Sequence, residues 1–393
     1  MTNPAPAKAP DELLKWRGAF PTLATSVHMI SHSLGAMPAK AALDLAEYGR
    51  LWTEKSINAW EDWLPEVERH AARIGRIIGA PAGSVMMFTN VSTVQSVIAS
   101  CLDYGERNKV VYSDLNFPSV SYVWKAEERR GARVEMVHSD DGIGINTERF
   151  IAAIDRQTLI VPISHVLFRS SAIKDVKAIV ARAHEVGALV LLDCYQSAGT
   201  LPFSVTDLDV DFACGGSVKW LCGGPGAAYL YIKPELISRF APRVTGWFGH
   251  RSPFSFAMPE QDYADTAWRF AGGTPAIAAL YQARAGAEII LQIIDELGID
   301  KIREKSLRQT AHILSRIDAS HYHLNSPRDP HLRGGTLCFD FPAADQVAKE
   351  LNRRRFFCDH RPGCGIRMSP HFYSTDEECD QFLDEIERIR ATL

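Results

Sequence analysis

The run from Asp211 to Gly226, DFACGGSVKWLCGGPG, places a single lysine, Lys219, among glycines, small residues and apolar side chains. An ammonium in such company is poorly solvated, and desolvation pushes a lysine toward its neutral, nucleophilic form. The pattern also suits a lysine whose stem lies on an apolar wall while its amine reaches water. Upstream, Asp193 ends LVLLD, a continuous apolar run of the kind found in strands buried on both faces of a parallel sheet. Ligands of open α/β sheets collect beyond the carboxyl ends of the strands. That rule sets Asp193 at the ligand edge and Lys219 just after the next strand-like segment. An acid at one strand end and a desolvated lysine near its neighbour are what pyridoxal 5'-phosphate needs. The amine offers a point of covalent attachment, and the carboxylate keeps the pyridine nitrogen protonated so that the ring withdraws electrons. Taken alone, Asp193 fits a helix cap or loop carboxylate equally well.

Two further segments point the same way. MFTNVSTVQSVIAS (87–100) is a Ser/Thr cluster opening an apolar helix. Free N–H groups and the dipole at a helix start bind phosphate, which makes Ser92 and Thr93 candidates, although ordinary capping uses the same residue types. SDLNFPSVSY (113–122) puts Phe117 in a loop after a strand, where its face can stack on a planar ring or simply fill the core.

The elements that must position these residues are legible as alternation. From about residue 108 to 233, KVVYSDL, RVEMVHS, TLIVPISHV and LVLLDCY read as strands, and VSYVWKAEERRG and NTERFIAAID read as helices between them. IKDVKAIVARAHEVGA places Val176, Ile179, Val180 and Ala183 on one helical face and stops at Gly187. VDFACGG and AAYLYIK add two more strands, giving an α/β layout. Beyond GGTPAIAAL, helices mixed with weaker strands predict a second, smaller α+β unit. The chain has 393 residues, formal net charge -4, 46% hydrophobic and 23% charged residues, and no long basic block. Nothing there points to nucleic acid or an anionic membrane surface. No apolar run approaches the roughly 20 residues of a membrane span. The start, MTNPAPAKAPDELLKW, lacks a signal-peptide core and reads as a flexible Pro/Ala lead-in. Eight scattered cysteines without a metal-like pair read as reduced thiols of a cytoplasmic protein.

The run LLDCYQSAGTLPFSVTDLDVDFACGGSVKWLCGGPG resembles the lysine segment of fold-type I pyridoxal-phosphate enzymes of the class V aminotransferase group, and most closely that of kynureninase. The resemblance extends through SHSLGAMP, NVSTVQ, NFPS, SHVLFRSS, GWFGH, GGTPAI and DHRPGCGIRMSPHFYST. It implies a large domain (51–272) with a mostly parallel central sheet and a smaller C-terminal α+β domain (273–393). The N-terminal segment (1–50) is expected to pack on the small domain or line the site. By resemblance, Lys219 carries the Schiff base and later moves protons at the substrate Cα, and Asp193 pairs with the pyridine nitrogen. Gln196 contacts the phenolic oxygen and Phe117 stacks on the ring. Ser92 and Thr93 hold the phosphate, helped by Ser217 and Trp247. Thr274 reaches the cofactor of the other subunit, which implies a homodimer with active sites at the subunit interface. Arg367 clamps the substrate α-carboxylate in the bidentate manner that suits guanidinium.

The implied activity is kynureninase-like cleavage at the β-carbon of an L-amino acid, with a class V aminotransferase using a keto acid as the alternative. A cysteine desulfurase fits less well, because Cys358 and Cys364 stand too near Arg367 for a long mobile loop. Trp60, Trp63, His250, Phe254, His371 and Phe372 are available for an aromatic mouth. The sequence departs from the kynureninase pattern at Val120, where an aspartate is usual, and at Val218, where a tyrosine precedes the lysine. Both changes are expected to remove a polar group beside the cofactor and to weaken action on kynurenine itself.

Overall fold

The computed structural model describes residues 11–258 and 260–393, so most of the Pro/Ala-rich lead-in lies outside the described residues. A two-residue strand β1 (Val27–His28) precedes helices α1 (Ala39–Lys55) and α2 (Trp60–Ile78). Seven strands then build the central sheet: β2 (Val85–Phe88), β3 (Lys109–Ser113), β4 (Arg133–Val137), β5 (Thr158–Ser164), β6 (Leu189–Asp193), β7 (Phe212–Gly216) and β8 (Ala228–Ile232). Their spatial order is β2-β8-β7-β6-β5-β3-β4. The block β4, β3, β5, β6, β7 is parallel, whereas β8 runs antiparallel to both β7 and β2. The parallel block carries Asp193.

Parallel strands need crossovers, and helices supply all but the one from β6 to β7. These are α3 (Val91–Cys101), α4 (Pro118–Ala126), α5 (Thr147–Ala152) and α6 (Val176–Glu185), with a short α7 (Pro234–Ile237) after β8. Helix α6 buries Val176, Ile179, Val180 and Ala183, the face its periodicity predicts, and Asp175 caps it by accepting the Ala178 N–H at 3.1 Å. Gly187, with φ of +74°, turns the chain back into β6. Covered on both faces, β3, β7 and β8 are buried along their whole length.

Two long helices follow, α8 (Ile277–Leu297) and α9 (Ile299–Ala319). By length and apolarity alone α8 could cross a membrane, but it packs against α1 and α2 as a core helix. The remaining elements are β9 (His323–Leu324), β10 (Leu337–Asp340), α10 (Ala344–Arg353), β11 (Phe356–Phe357), β12 (Asp359–Arg361), β13 (Gly365–Met368) and α11 (Asp376–Arg390). An antiparallel sheet in the order β12-β13-β10-β9 packs with α9, α10 and α11 around Ile317, Phe339, Val347, Ile366 and Phe382. A capping box between Thr375 and Glu378 opens α11.

The N-terminal stretch ties this second core to the central sheet. Val27 and Met29 are buried in the second core, β1 pairs with β11, and the Met29 carbonyl accepts the Ser369 N–H at 2.9 Å. A few residues on, the Gly35 N–H donates to the Val218 carbonyl at 2.9 Å. A side chain at Gly35 would overlap the Lys219 carbonyl and Cys222 Cα, so only glycine lets the two backbones approach this closely. Leu191, in the middle of β6, is 1% exposed. Leu191→Ala should cost about 2–5 kcal/mol of stability, read as a lowered urea midpoint. An unchanged midpoint would show that β6 is not at the centre of the core.

Candidate active site

Ser164 closes β5 and Asp193 closes β6, and the ladder sets these two residues side by side. Beyond β7 the chain turns and presents Lys219 to the same cavity, which has a volume of about 370 Å³. The Lys219 amine lies 4.4 Å from the Tyr195 ring centroid and 5.7 Å from that of Phe117. Among the described residues no carboxylate is bonded to it. Burial lowers its pKa to about 8, against the opposing attraction of Asp193. Burial also raises the Asp193 carboxyl, while the Tyr195 N–H, 2.9 Å from Oδ1, and the charge of Lys219 hold it down.

On the cavity wall, Asn90, Val91 and Ser92 mark the start of α3. The first-turn N–H groups of a helix lack intrahelical partners. Asn90 satisfies one of them, accepting the Thr93 N–H at 2.9 Å and the Thr93 hydroxyl at 3.0 Å. These features fit pyridoxal phosphate: a partly desolvated amine without a counter-ion, a buried carboxylate, an aromatic face and a helix start within one cavity.

Ser92, Phe117, Asp193, Gln196, Lys219 and Arg367 therefore meet on one wall system. Gln196 is engaged at both ends, donating to the His32 carbonyl at 3.0 Å and accepting from the Trp220 indole at 2.9 Å. Four expected residues lie off this wall. Thr93 spends its hydroxyl on the Asn90 cap and, with Thr274, lines a separate cavity of about 170 Å³. Ser217 is fully buried, and its hydroxyl has no partner. Trp247 packs against Phe248, with ring centroids 4.1 Å apart, and on Phe254 and Phe256.

The aromatic mouth is not formed by the expected residues within one chain. Trp60 and Trp63 pack together near Tyr48, Phe372 packs on Phe20, and His371 packs on Trp220. His250 and Phe254 line another cavity. Val120 is buried in the core away from the wall and Ser119 faces the cavity instead, so Val120 removes no polar group there. Val218 does line it.

Sequence reasoning assigned no role to Asp359, His32, Arg361 or Tyr195. The hairpin β12–β13 sets Asp359 directly opposite Arg367. Arg367 Nε and Nη2 donate to the two Asp359 oxygens at 2.8 and 2.5 Å, and Nη1 donates to the Phe168 carbonyl at 2.7 Å. His32 Nε2 donates to Asp359 Oδ1 at 3.0 Å, and its Nδ1 lies 2.5 Å from the Ser369 hydroxyl. Burial, then the nearby Arg367 charge, lower the His32 pKa to about 3, so the imidazole is neutral. Burial alone would raise the Asp359 carboxyl, but the bonds from His32 and Arg367 carry it well below the ordinary range.

A seven-stranded mixed sheet with a desolvated lysine and carboxylate at its ligand edge defines a fold-type I pyridoxal-phosphate architecture. The family model described as aminotransferase class-V matches residues 57–382. The chain belongs to the class V aminotransferase family, and its cofactor is pyridoxal phosphate. It is 30% identical to the uncharacterized aminotransferase YcbU of Bacillus subtilis, across 95% of this chain and 96% of that protein. It is 29% identical to a kynureninase of Bacillus thuringiensis subsp. konkukian, across 96% and 92% of the two chains. Among solved structures it resembles the cysteine desulfurase of Thermococcus onnurineus, with a TM-score of 0.85 at 20% identity over 96% of this chain and 98% of that one. A C-DES variant with glycine covalently linked to its PLP cofactor matches with a TM-score of 0.84 at 20% identity, over 94% and 98% of the two chains.

Desolvation favours the neutral amine, so Lys219 loses its proton at a lower pH than a free lysine. In cofactor-stripped protein, acylation of Lys219 followed by mass spectrometry should therefore be half-maximal near pH 8. A midpoint at the ordinary lysine value would show that burial does not tune this group.

Proposed function

We propose that Lys219 holds pyridoxal phosphate covalently and that the protein catalyses kynureninase-like cleavage at the β-carbon of an L-amino acid. The observation that carries this reading is the half-buried Lys219 amine, without a counter-ion, facing Asp193 and Arg367 across one cavity. When bound, the cofactor supplies the electron sink that makes a Cα proton and then a substituent at Cβ labile. Asp193 keeps the ring nitrogen protonated, and Phe117 covers the ring face. Ser92 and the first turn of α3 receive the phosphate, with Thr93 acting through the Asn90 cap. Lys219, with its pKa lowered to about 8, moves the proton at Cα.

Three of the five Arg367 donors are engaged, so two N–H groups remain to orient the substrate α-carboxylate. Gln196 stands at the ring oxygen. Ser217, whose buried hydroxyl has no partner in the structure, helps hold the phosphate. Trp247 is a further phosphate helper, and Thr274 reaches the cofactor of the second subunit in a homodimer. The similarity to kynureninases along almost the whole chain supports β-cleavage. A second reading, amino transfer to a keto acid, is favoured by the equally extensive similarity to YcbU. A desulfurase reading lacks its thiol: Cys358 is 2% exposed, and buried Cys364 donates to the Arg169 carbonyl at 3.0 Å.

Borohydride reduction of the purified yellow protein should fix the cofactor on the peptide containing Lys219, and label on any other lysine would overturn the site. Product analysis then separates the readings. β-Cleavage should proceed without a keto acid, whereas strict dependence on one would establish amino transfer. Kynurenine should be a poor substrate, because Val218 removes a polar neighbour of the cofactor. A lost hydrogen bond to a charged group is worth about 1.5–3 kcal/mol, or roughly one to two orders of magnitude in rate. Efficient release of anthranilate would refute that. For the dimer, sedimentation should show two chains per active particle; a fully active monomer would exclude shared sites.

A further inference from the structure

The hairpin that presents Arg367 carries a second guanidinium. Arg361 lies two residues beyond Asp359 on β12, so the two side chains leave the same face of the strand. The turn Pro362-Gly363-Cys364 brings the chain back as β13, pairing Arg361 with Gly365 and Asp359 with Arg367. Gly365 takes φ of +83°, a left-handed value that suits glycine. Asp359 thus stands between two arginines. Arg361 Nη2 lies 3.0 Å from Asp359 Oδ2, the same oxygen that accepts from Arg367 Nη2. The two guanidiniums are side by side, and both line the cavity that holds Lys219.

Their donor counts differ. Arg367 is 4% exposed at its side chain and has three donors committed, whereas Arg361 is 47% exposed and touches Asp359 through one nitrogen. Its remaining donors are open toward the cavity mouth. Ser33, Asn90, Ser92 and Ser119 share the cavity wall with Phe117, Val166, Phe168 and Val218, so Arg361 and Arg367 stand as the cations of a mixed lining. A short side chain projecting past the α-carboxylate toward β12 therefore meets the Arg361 cation.

We infer that Arg361 is a specificity residue that binds an oxyanion at the end of the substrate side chain, so that the enzyme prefers short acidic L-amino acids over neutral or aryl-bearing ones. Asp359 fixes the spacing of the two guanidiniums, with Arg367 receiving the α-carboxylate and Arg361 the second anion. The inference rests on the reading of this cavity as the substrate site and narrows its substrate class.

Calorimetric titration of the holoenzyme with succinate and with butyrate isolates the second anion, since the two acids have equal carbon number. Succinate should bind roughly ten- to a hundredfold more tightly. Arg361→Ala should erase that preference while leaving butyrate affinity in place. Arg361→Gln, which keeps polarity and most of the length without the charge, should behave like Arg361→Ala if charge is what matters. Equal affinity for the two acids, a preference that survives both substitutions, or no binding of either acid overturns the inference. The borohydride label on Lys219, read in the same preparation, reports separately on the cavity: label there with no succinate preference removes the side-chain assignment alone.

Discussion

The site depends on keeping one amine away from water and away from any carboxylate that would hold its proton. Lys219 is half-buried yet unpaired, and its desolvation dominates over the attraction of Asp193. An opposite charge in direct contact would favour the ammonium and cost nucleophilicity. The surrounding sequence serves that condition. Gly35 lets the N-terminal stretch press against the lysine loop, and Gly223 lets Ser217 approach at a distance that a side chain would forbid. The lysine thus owes its state to tight backbone packing.

A second electrostatic arrangement lies on the opposite wall. Asp359 accepts from His32 and Arg367 and contacts Arg361, so one carboxylate organises three basic groups. Breaking such a buried pair on one side leaves an uncompensated charge, which ordinarily costs far more than the pair contributes in net stability. The β12–β13 hairpin sets Asp359 opposite Arg367 and Arg361 opposite Gly365. Its geometry is set by register, and register decides which side chains face the cavity.

Much of this was legible in the residues. The strands of the parallel block announced themselves as apolar runs, and α6 buries the face its period predicts. Lys219 and Asp193 could be placed because the ends of parallel strands share one edge. Other assignments depended on contacts that no spacing encodes. The Thr93 hydroxyl looks free for phosphate in the sequence, but its own N-cap residue, Asn90, captures it. Val120 sits one residue from the wall position, and a helical step turns it inward while Ser119 faces the cavity. His32 and Arg361 come from opposite ends of the chain, so their meeting at Asp359 follows only from tertiary pairing.

That pairing also has a temporal side. Strand β1, near residue 27, finds its partner in β11, near residue 356, and the same N-terminal stretch buttresses the lysine loop. Contacts separated by so much sequence carry a large loop-closure entropy and form late. On the ribosome, the central sheet is complete in the nascent chain well before the C-terminal hairpin emerges. The N-terminal stretch that buttresses the lysine loop is therefore synthesised long before β11, the strand that β1 pairs with. A truncated product lacking the C-terminal strands would leave β1 unpaired and remove Arg361 and Arg367 from the cavity, carrying the lysine in an open, wetter setting.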